Sequence, residues 1–214
     1  MPLCSRAVRH NKMKKSIAIS LLSFILFGCE QEYIVKDNKV FLKGWNEGSG
    51  SYERLIEEAD AKTFQTIDTD ENLTLGKDNN HVYIESTLIE NFDPKTLKYI
   101  GNYYFVDSDS AYFFGFYSNI DDCEIIGADP KSLKTFDKFP WAYDKNHIIY
   151  GHTIVAIDDL SDFEIISENW GRTKDKIIYK GRTLHGVDIK TFEIVDEYMA
   201  KDKYHTYEYG EIKT

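Results

Sequence analysis

The hydrophobic residues form one long run near the N-terminus and many short segments after it. The long run, residues 17–27, reads IAISLLSFILF and follows Lys12, Lys14 and Lys15. A cationic stretch before a short apolar run is typical of a secretory signal peptide, and a membrane-spanning helix needs about 20 apolar residues. We therefore predict that residues 1–28 are a helical signal peptide, with Met13 as a second possible start of translation.

The end of this run resembles a bacterial lipoprotein box. Leu26-Phe27-Gly28-Cys29 has an aliphatic residue three positions before a cysteine and a small residue directly before it. The resemblance implies cleavage after Gly28 and a lipid on Cys29, with residues 29–32 as the tether. The alternatives are an ordinary secreted protein or a signal anchor. Glu30 lacks the aspartate of an inner-membrane retention signal, so an outer-membrane or cell-surface location is expected if the source is Gram-negative.

The short segments are organised by two turn patterns that recur through residues 33–214. The first is an aspartate followed four positions later by Phe or Leu, with spacings of 33, 36, 30 and 29 residues. Its aspartates are Asp60, Asp93, Asp129, Asp159 and Asp188. The second precedes β-branched and aromatic residues, and its copies start at Asp37, Asp78, Asp144 and Asp175, with a degenerate copy at Asp109 and a truncated one at Lys203. Such periodicity indicates a repeat protein.

Each repeat translates into short strands and tight turns. Asp and Asn side chains hydrogen-bond their own backbone in turns, and β-branched and aromatic residues favour extended structure. We predict an all-β domain of about five to six repeats of about 30 residues, each a hairpin or three-strand antiparallel unit. The Asp-Pro-Lys-Thr turn should lead into the third strand of its unit.

Repeats of this kind must stack to bury their apolar faces. We favour a β-repeat array because propeller blades are longer, about 40 residues; a small propeller-like closure is the alternative. In the first repeat, residues 44–52 are Gly- and Ser-rich and are predicted to be a flexible loop. Residues 52–59 are predicted to form a short helical turn.

The repeat motif resembles a known family. Tyr143-Asp-Lys-Asn-His-Ile-Ile-Tyr150, together with a following Asp and Thr-Phe-Glu as at Asp188 and residues 191–193, is similar to the DKNYY family of bacterial exported and lipid-anchored proteins. The resemblance covers residues 73–207 well and 33–72 loosely. It implies a repeat domain over residues 33–214 and an exported location, and it supplies no catalytic residues.

Charge and cysteine content narrow the function further. The net charge is −10, and residues 1–28 hold five basic and no acidic side chains, so the remaining chain carries −15. An acidic body argues against a nucleic-acid partner, which requires a basic face. The cysteines are Cys4, Cys29 and Cys123. A lipid on Cys29 would leave Cys123 without a disulfide partner in the mature chain.

The candidate chemistry is sparse. The five first-pattern aspartates are predicted to close Asx turns, with a calcium ladder as the alternative. We find no catalytic motif and no histidine spacing of a zinc site, and we predict no metal and no cofactor. The aromatic segment of residues 103–117 is a possible binding surface, with core filling as the alternative.

We expect a non-catalytic envelope lipoprotein, held to the membrane by its N-terminal lipid, that binds a protein or a glycan. The alternatives are a structural spacer and, as the weakest, an enzyme whose site is assembled between repeats.

Overall fold

The computed structural model describes residues 31–69, 73–115 and 122–213. The predicted signal peptide, with Gly28 and Cys29, lies outside the described residues. The chain divides between Glu90 and Asn91 into two compact units. Both units are built from small antiparallel sheets, which we number from one to six in chain order.

The first unit holds two sheets. The first sheet has three strands: β1 (Glu32–Lys36), β2 (Lys39–Asn46) and β3 (Gly50–Leu55). The second sheet has four strands: β4 (Gln65–Ile67), β5 (Leu75–Lys77), β6 (Val82–Ile84) and β7 (Thr87–Ile89).

The second unit holds four sheets. The third sheet consists of β8 (Lys98–Gly101), β9 (Tyr104–Val106) and β10 (Ala111–Phe113). The fourth sheet consists of β11 (Lys134–Thr135), β12 (Trp141–Tyr143), β13 (Ile148–Tyr150) and β14 (Thr153–Val155). The fifth sheet consists of β15 (Glu164–Ile165), β16 (Trp170–Arg172), β17 (Ile177–Tyr179) and β18 (Arg182–Leu184). The sixth sheet consists of β19 (Glu193–Ile194), β20 (Met199–Lys201), β21 (Thr206–Glu208) and β22 (Glu211–Ile212).

The predicted all-β repeat fold is confirmed. The described residues contain no α-helix, and a 3₁₀ turn lies at Leu160–Asp162. No helix among the described residues is long and apolar enough to cross a membrane. Within each sheet, neighbouring strands are antiparallel and follow one another along the chain, so all six sheets are simple meanders.

The sheets begin at a different point from the predicted repeat units. The strand after the Asp-Pro-Lys-Thr turn was expected to complete a unit, but it is the first strand of the next sheet: β11 pairs with β12 and β15 pairs with β16. Four sheets also have four strands rather than three, because a strand precedes each Asp-Lys-Asn turn.

The sequence of that additional strand is not typical of a β-strand. Its central residue must be small. In β16, Gly171 lies under the Phe163 ring, and a Cβ there would be 2.7 Å from the ring. In β5, Gly76 lies in the same way under Phe64. Packing of the Phe side chain thus favours glycine where local propensity disfavours it.

The first sheet corrects two predictions. Residues 44–52 are not a loop: they span the ends of β2 and β3, which pair from Phe41–Leu55 to Asn46–Gly50. The predicted helical turn over residues 52–59 is also wrong, since β3 continues to Leu55. Gly44 is buried because the Tyr52 side chain covers it, which leaves no room for a Cβ.

Aromatic side chains connect consecutive sheets of the second unit. The indole Nε1 of Trp141 donates to the Glu168 carbonyl at 2.8 Å, and that of Trp170 donates to the Glu197 carbonyl at 3.1 Å. Both rings are fully buried. The fourth and fifth sheets therefore each use the first residue of their second strand to hold a loop of the following sheet.

Candidate functional site

The five first-pattern aspartates all lie at turns. Each carboxylate accepts a hydrogen bond from the backbone N–H two residues further on, at distances between 2.9 and 3.4 Å. The residues concerned are Asp60, Asp93, Asp129, Asp159 and Asp188. This is the geometry of an Asx turn, in which the side chain replaces a backbone acceptor.

A second set of aspartates connects these turns to the strands. Four buried carboxylates accept the backbone N–H of a first-pattern aspartate, at 2.7 to 3.2 Å. They are Asp78, Asp107, Asp144 and Asp202. Each also accepts the N–H groups two and three residues further on in its own turn, at 2.7 to 2.9 Å. We call each such pair of linked turns an aspartate joint.

Sequence comparison identified only two of these four carboxylates. Asp78 and Asp144 begin recognisable copies of the second turn pattern. Its degenerate copy was assigned to Asp109 instead of Asp107, and its truncated copy to Lys203 instead of Asp202. The feature that could have located them is the tyrosine five residues later. Tyr83, Tyr112 and Tyr207 donate their hydroxyls to Asp78, Asp107 and Asp202 at 3.1, 2.8 and 2.7 Å.

The electrostatics of the joint favour ionised aspartate. Burial raises the pKa of Asp202, but the Tyr207 hydroxyl and the N–H groups of Asp188, Tyr204 and His205 outweigh it and lower the pKa to about 2. The pKa values of Asp78, Asp107 and Asp144 are lowered against burial in the same way. The acceptor sites of these carboxylates are occupied by protein donors, so the joint is a structural device.

Three histidines occupy equivalent positions beside the joint carboxylates. The Nδ1 atoms of His81, His147 and His205 lie 3.7, 3.0 and 3.7 Å from the carboxylate oxygens of Asp78, Asp144 and Asp202. Each belongs to a different sheet. Within the described ranges, no group of His, Cys, Asp and Glu side chains is arranged to hold a metal ion.

The aromatic segment of residues 103–117 lies mostly in the core. Of its six described aromatic residues, those at positions 103–105, 112 and 113 are less than 10% exposed and Phe114 is half-buried. Tyr112 packs on Phe92 with ring centroids 4.4 Å apart. Phe116 and Tyr117 lie outside the described residues. The described part of this segment is therefore core rather than a binding surface.

Exposed aromatic rings occur instead where the fifth and sixth sheets meet. Tyr198 and Tyr209 are 42% and 57% exposed, and their ring centroids are 5.3 Å apart. The Lys180 ammonium lies 5.6 Å from the Tyr198 ring centroid, and Arg182 reaches the Tyr209 carbonyl at 3.4 Å. We call these four residues the tyrosine surface.

The preceding pair of sheets shows what is unusual about this surface. Asn169 and Tyr198 hold equivalent positions before the second strand, where their carbonyls accept N–H groups from Lys180 and Tyr209, both at 2.8 Å. The Tyr150 hydroxyl donates to the Asn169 side chain at 3.1 Å. Its counterpart Tyr179 has a buried hydroxyl with no hydrogen-bond partner among the described residues. Tyrosine in place of asparagine thus gives up an internal hydrogen bond and exposes a ring.

A pocket of about 380 Å³ opens on the fourth sheet. Its apolar lining is Phe136, Tyr143, Ile148, Leu160 and Phe163. Its polar lining is Asp137 and Thr135. The pocket is lined by one carboxylate and three aromatic rings.

Comparison with known proteins gives one match. The model of the DKNYY family matches residues 33–211. No curated protein and no solved structure matches the chain.

Proposed function

The chain belongs to the DKNYY family, and from this premise we propose that it is a bacterial cell-envelope lipoprotein whose β-repeat domain binds a protein or glycan partner without catalysis. The tyrosine surface is the proposed contact region. The observation that carries the binding role is the replacement of the hydrogen-bonding Asn169 by Tyr198, which leaves the Tyr179 hydroxyl buried and unpaired.

The sequence supports the anchoring part of the proposal. Lys12, Lys14 and Lys15 precede the apolar run of residues 17–27, and the run ends at Gly28-Cys29. Lipid on Cys29 would place the matched domain, which begins at residue 33, close to the membrane. The net charge of −15 after residue 28 would be repelled by anionic headgroups. The domain is therefore expected to extend away from the lipid surface.

The energetics of the tyrosine surface support the binding part. A buried hydroxyl without a partner costs about 1–3 kcal/mol, and sequences tend to break local rules of stability where function requires it. Tyrosine and arginine are also the residues that contribute most to binding at protein interfaces. An exposed pair of rings beside Lys180 and Arg182 has this composition.

The anchor is tested by intact mass and membrane fractionation of the expressed precursor. A chain that starts at Cys29, carries a diacylglyceryl group and sediments with membranes is expected. Cys29→Ala should remain unprocessed and unmodified, whereas Cys4→Ser, which changes a cysteine upstream of the cleavage site, should behave as the unsubstituted protein. An unmodified soluble chain without the substitution would disprove the anchor.

The binding role is tested with Tyr198→Asn, which copies Asn169 of the fifth sheet. The variant should pair the Tyr179 hydroxyl and gain about 1 kcal/mol in unfolding free energy. It should also lose co-sedimentation with isolated envelope polysaccharide, or binding to purified surface protein, whichever the unsubstituted protein shows. The control is Tyr204→Asn, since Tyr204 is 66% exposed and lies outside the surface. A spacer protein would bind neither fraction.

A further inference from the structure

Three aromatic rings line one side of the pocket on the fourth sheet. The Phe136 ring is tilted 46° from Tyr143 at 4.8 Å and 49° from Phe163 at 6.2 Å, so the three rings do not stack flat. They line one concave site together with the exposed carboxylate of Asp137. Asp137 has no hydrogen-bond or ion-pair partner among the described residues.

The fifth and sixth sheets lack this arrangement because ion pairs replace it. Tyr143, Arg172 and Lys201 are the last residues of their strands, and each lies opposite the first residue of the sheet. Arg172 pairs with Glu164 at 2.7 Å, and Lys201 pairs with Glu193 at 3.2 Å. In the fourth sheet the corresponding pair is Tyr143 and Lys134, so an aromatic ring lies where the fifth and sixth sheets have a cation.

A second position also has an aromatic residue in the fourth sheet and an aliphatic one in the fifth and sixth sheets. Phe136, Ile166 and Val195 follow the first strand of their sheets, and their N–H groups all bond to the first residue of the second strand. Only the fourth sheet has an aromatic ring here. Two positions at which this sheet departs from the fifth and sixth sheets thus both line the pocket.

The chemistry of the walls defines the occupant. Aromatic faces attract cations through their quadrupoles, and quaternary ammonium groups are recognised by aromatic cages. A carboxylate adds charge complementarity, and a volume near 380 Å³ lies within the usual range for small ligands. We propose that the pocket binds a small organic cation of the quaternary ammonium class, with the ammonium against the ring surfaces that line the pocket and near Asp137. This site is separate from the tyrosine surface and does not depend on it.

The test is calorimetric titration of the purified full-length protein with choline and with its neutral isostere 3,3-dimethylbutan-1-ol. Cation–π attraction predicts that choline binds at least about tenfold more tightly. Asp137→Ser, which introduces the residue found at Ser167, should weaken choline binding by about tenfold while leaving the thermal midpoint unchanged. Asp137 is exposed, so this variant is expected to fold normally.

The matched variant is Lys134→Glu with Tyr143→Arg. It rebuilds the Glu164–Arg172 pair of the fifth sheet, a pairing that this repeat tolerates, and it should abolish choline binding. Equal affinity for choline and the neutral isostere, or choline binding that survives in the double variant, would overturn the proposal. Absence of choline binding by the unsubstituted protein at millimolar concentration would also overturn it.

Discussion

The fifth and sixth sheets differ in how the two turns of the aspartate joint are linked. In the sixth sheet, Asp202 accepts the Asp188 N–H at 2.8 Å and the Tyr207 hydroxyl at 2.7 Å. In the fifth sheet, Thr173 holds the place of Asp202 and Ile178 the place of Tyr207. The Thr173 hydroxyl accepts the Lys176 N–H at 3.0 Å but makes no described hydrogen bond to Asp159.

The difference shows which part of the joint needs a carboxylate. A hydroxyl is sufficient to close the local turn, because Thr173 serves the two amides of its own turn. Connection of the two turns needs the second oxygen of aspartate. Where that oxygen is missing, the fifth sheet carries surface ion pairs instead, Lys174 with Asp162 at 2.7 Å and Lys176 with Asp158 at 3.0 Å. The fifth sheet thus has exposed ion pairs where the sixth sheet has a buried hydrogen bond between the two turns.

Acid should affect the aspartate joints most strongly. Their folded pKa values lie below the unfolded value of about 3.9, so they stabilise the fold above that pH and the stabilisation is lost as pH falls through the folded values. For Asp202 a folded pKa of about 2 corresponds to about 2 kcal/mol. Asp78, Asp107 and Asp144 act in the same direction. The unfolding free energy measured by denaturant titration should therefore fall steeply between pH 4 and pH 2. A constant unfolding free energy over this range would contradict the prediction.

Asp202→Asn isolates a single joint at neutral pH. The asparagine amide has the same shape, but its NH₂ group would face the N–H and hydroxyl donors that bond to the Asp202 carboxylate. The unfolding free energy should therefore fall by about 2–3 kcal/mol. The control is Asp196→Asn, in which an exposed carboxylate also caps two backbone N–H groups, both at 2.8 Å, without joining two turns. Equal losses in both variants would mean that connection of the turns contributes nothing.

A double-mutant cycle transfers the joint into the fifth sheet. Thr173→Asp alone introduces a carboxylate without the tyrosine hydroxyl, and Ile178→Tyr alone introduces a buried hydroxyl without an acceptor. Together they should recover a coupling energy of about 1 kcal/mol, measured by chemical denaturation of the four proteins. Strict additivity would show that Asp202 and Tyr207 do not act as a pair.

Local chemistry predicted most of the fold and only part of its joints. The two turn patterns contain Asp, Asn and Pro, which determine local conformation, so the all-β repeat could be inferred from them. The strand at Trp170–Arg172 could not, because its Gly171 reflects packing against Phe163, a contact that becomes visible only in three dimensions. Gly44 misled the prediction for the same reason, since Tyr52 lies over it.

The tyrosine surface could not be predicted from the sequence for a related reason. Tyr198 is informative only when it is aligned with Asn169, and that alignment depends on which strands pair. Tyr103 to Phe105 seemed the better candidates because aromatic residues are dense there, yet density along the chain does not distinguish a core from a surface. Lipidation of Cys29 and cleavage after Gly28 stay predictions from the sequence.

The surface ion pairs of the fifth sheet should give the smallest effect. Lys174 is 70% exposed and pairs with Asp162, so its attraction is weak and screened by salt. Lys174→Ala should lower the melting temperature by about 1 °C at low ionic strength, and the difference should vanish near 1 M salt. Lys203→Ala, the equivalent change beside Asp202, should show no such salt dependence, because Lys203 lies over the Tyr204 ring and the buried carboxylate already holds that joint. If both variants lost the same stability at low salt, the ion pair would not be the fifth sheet's substitute for the missing carboxylate.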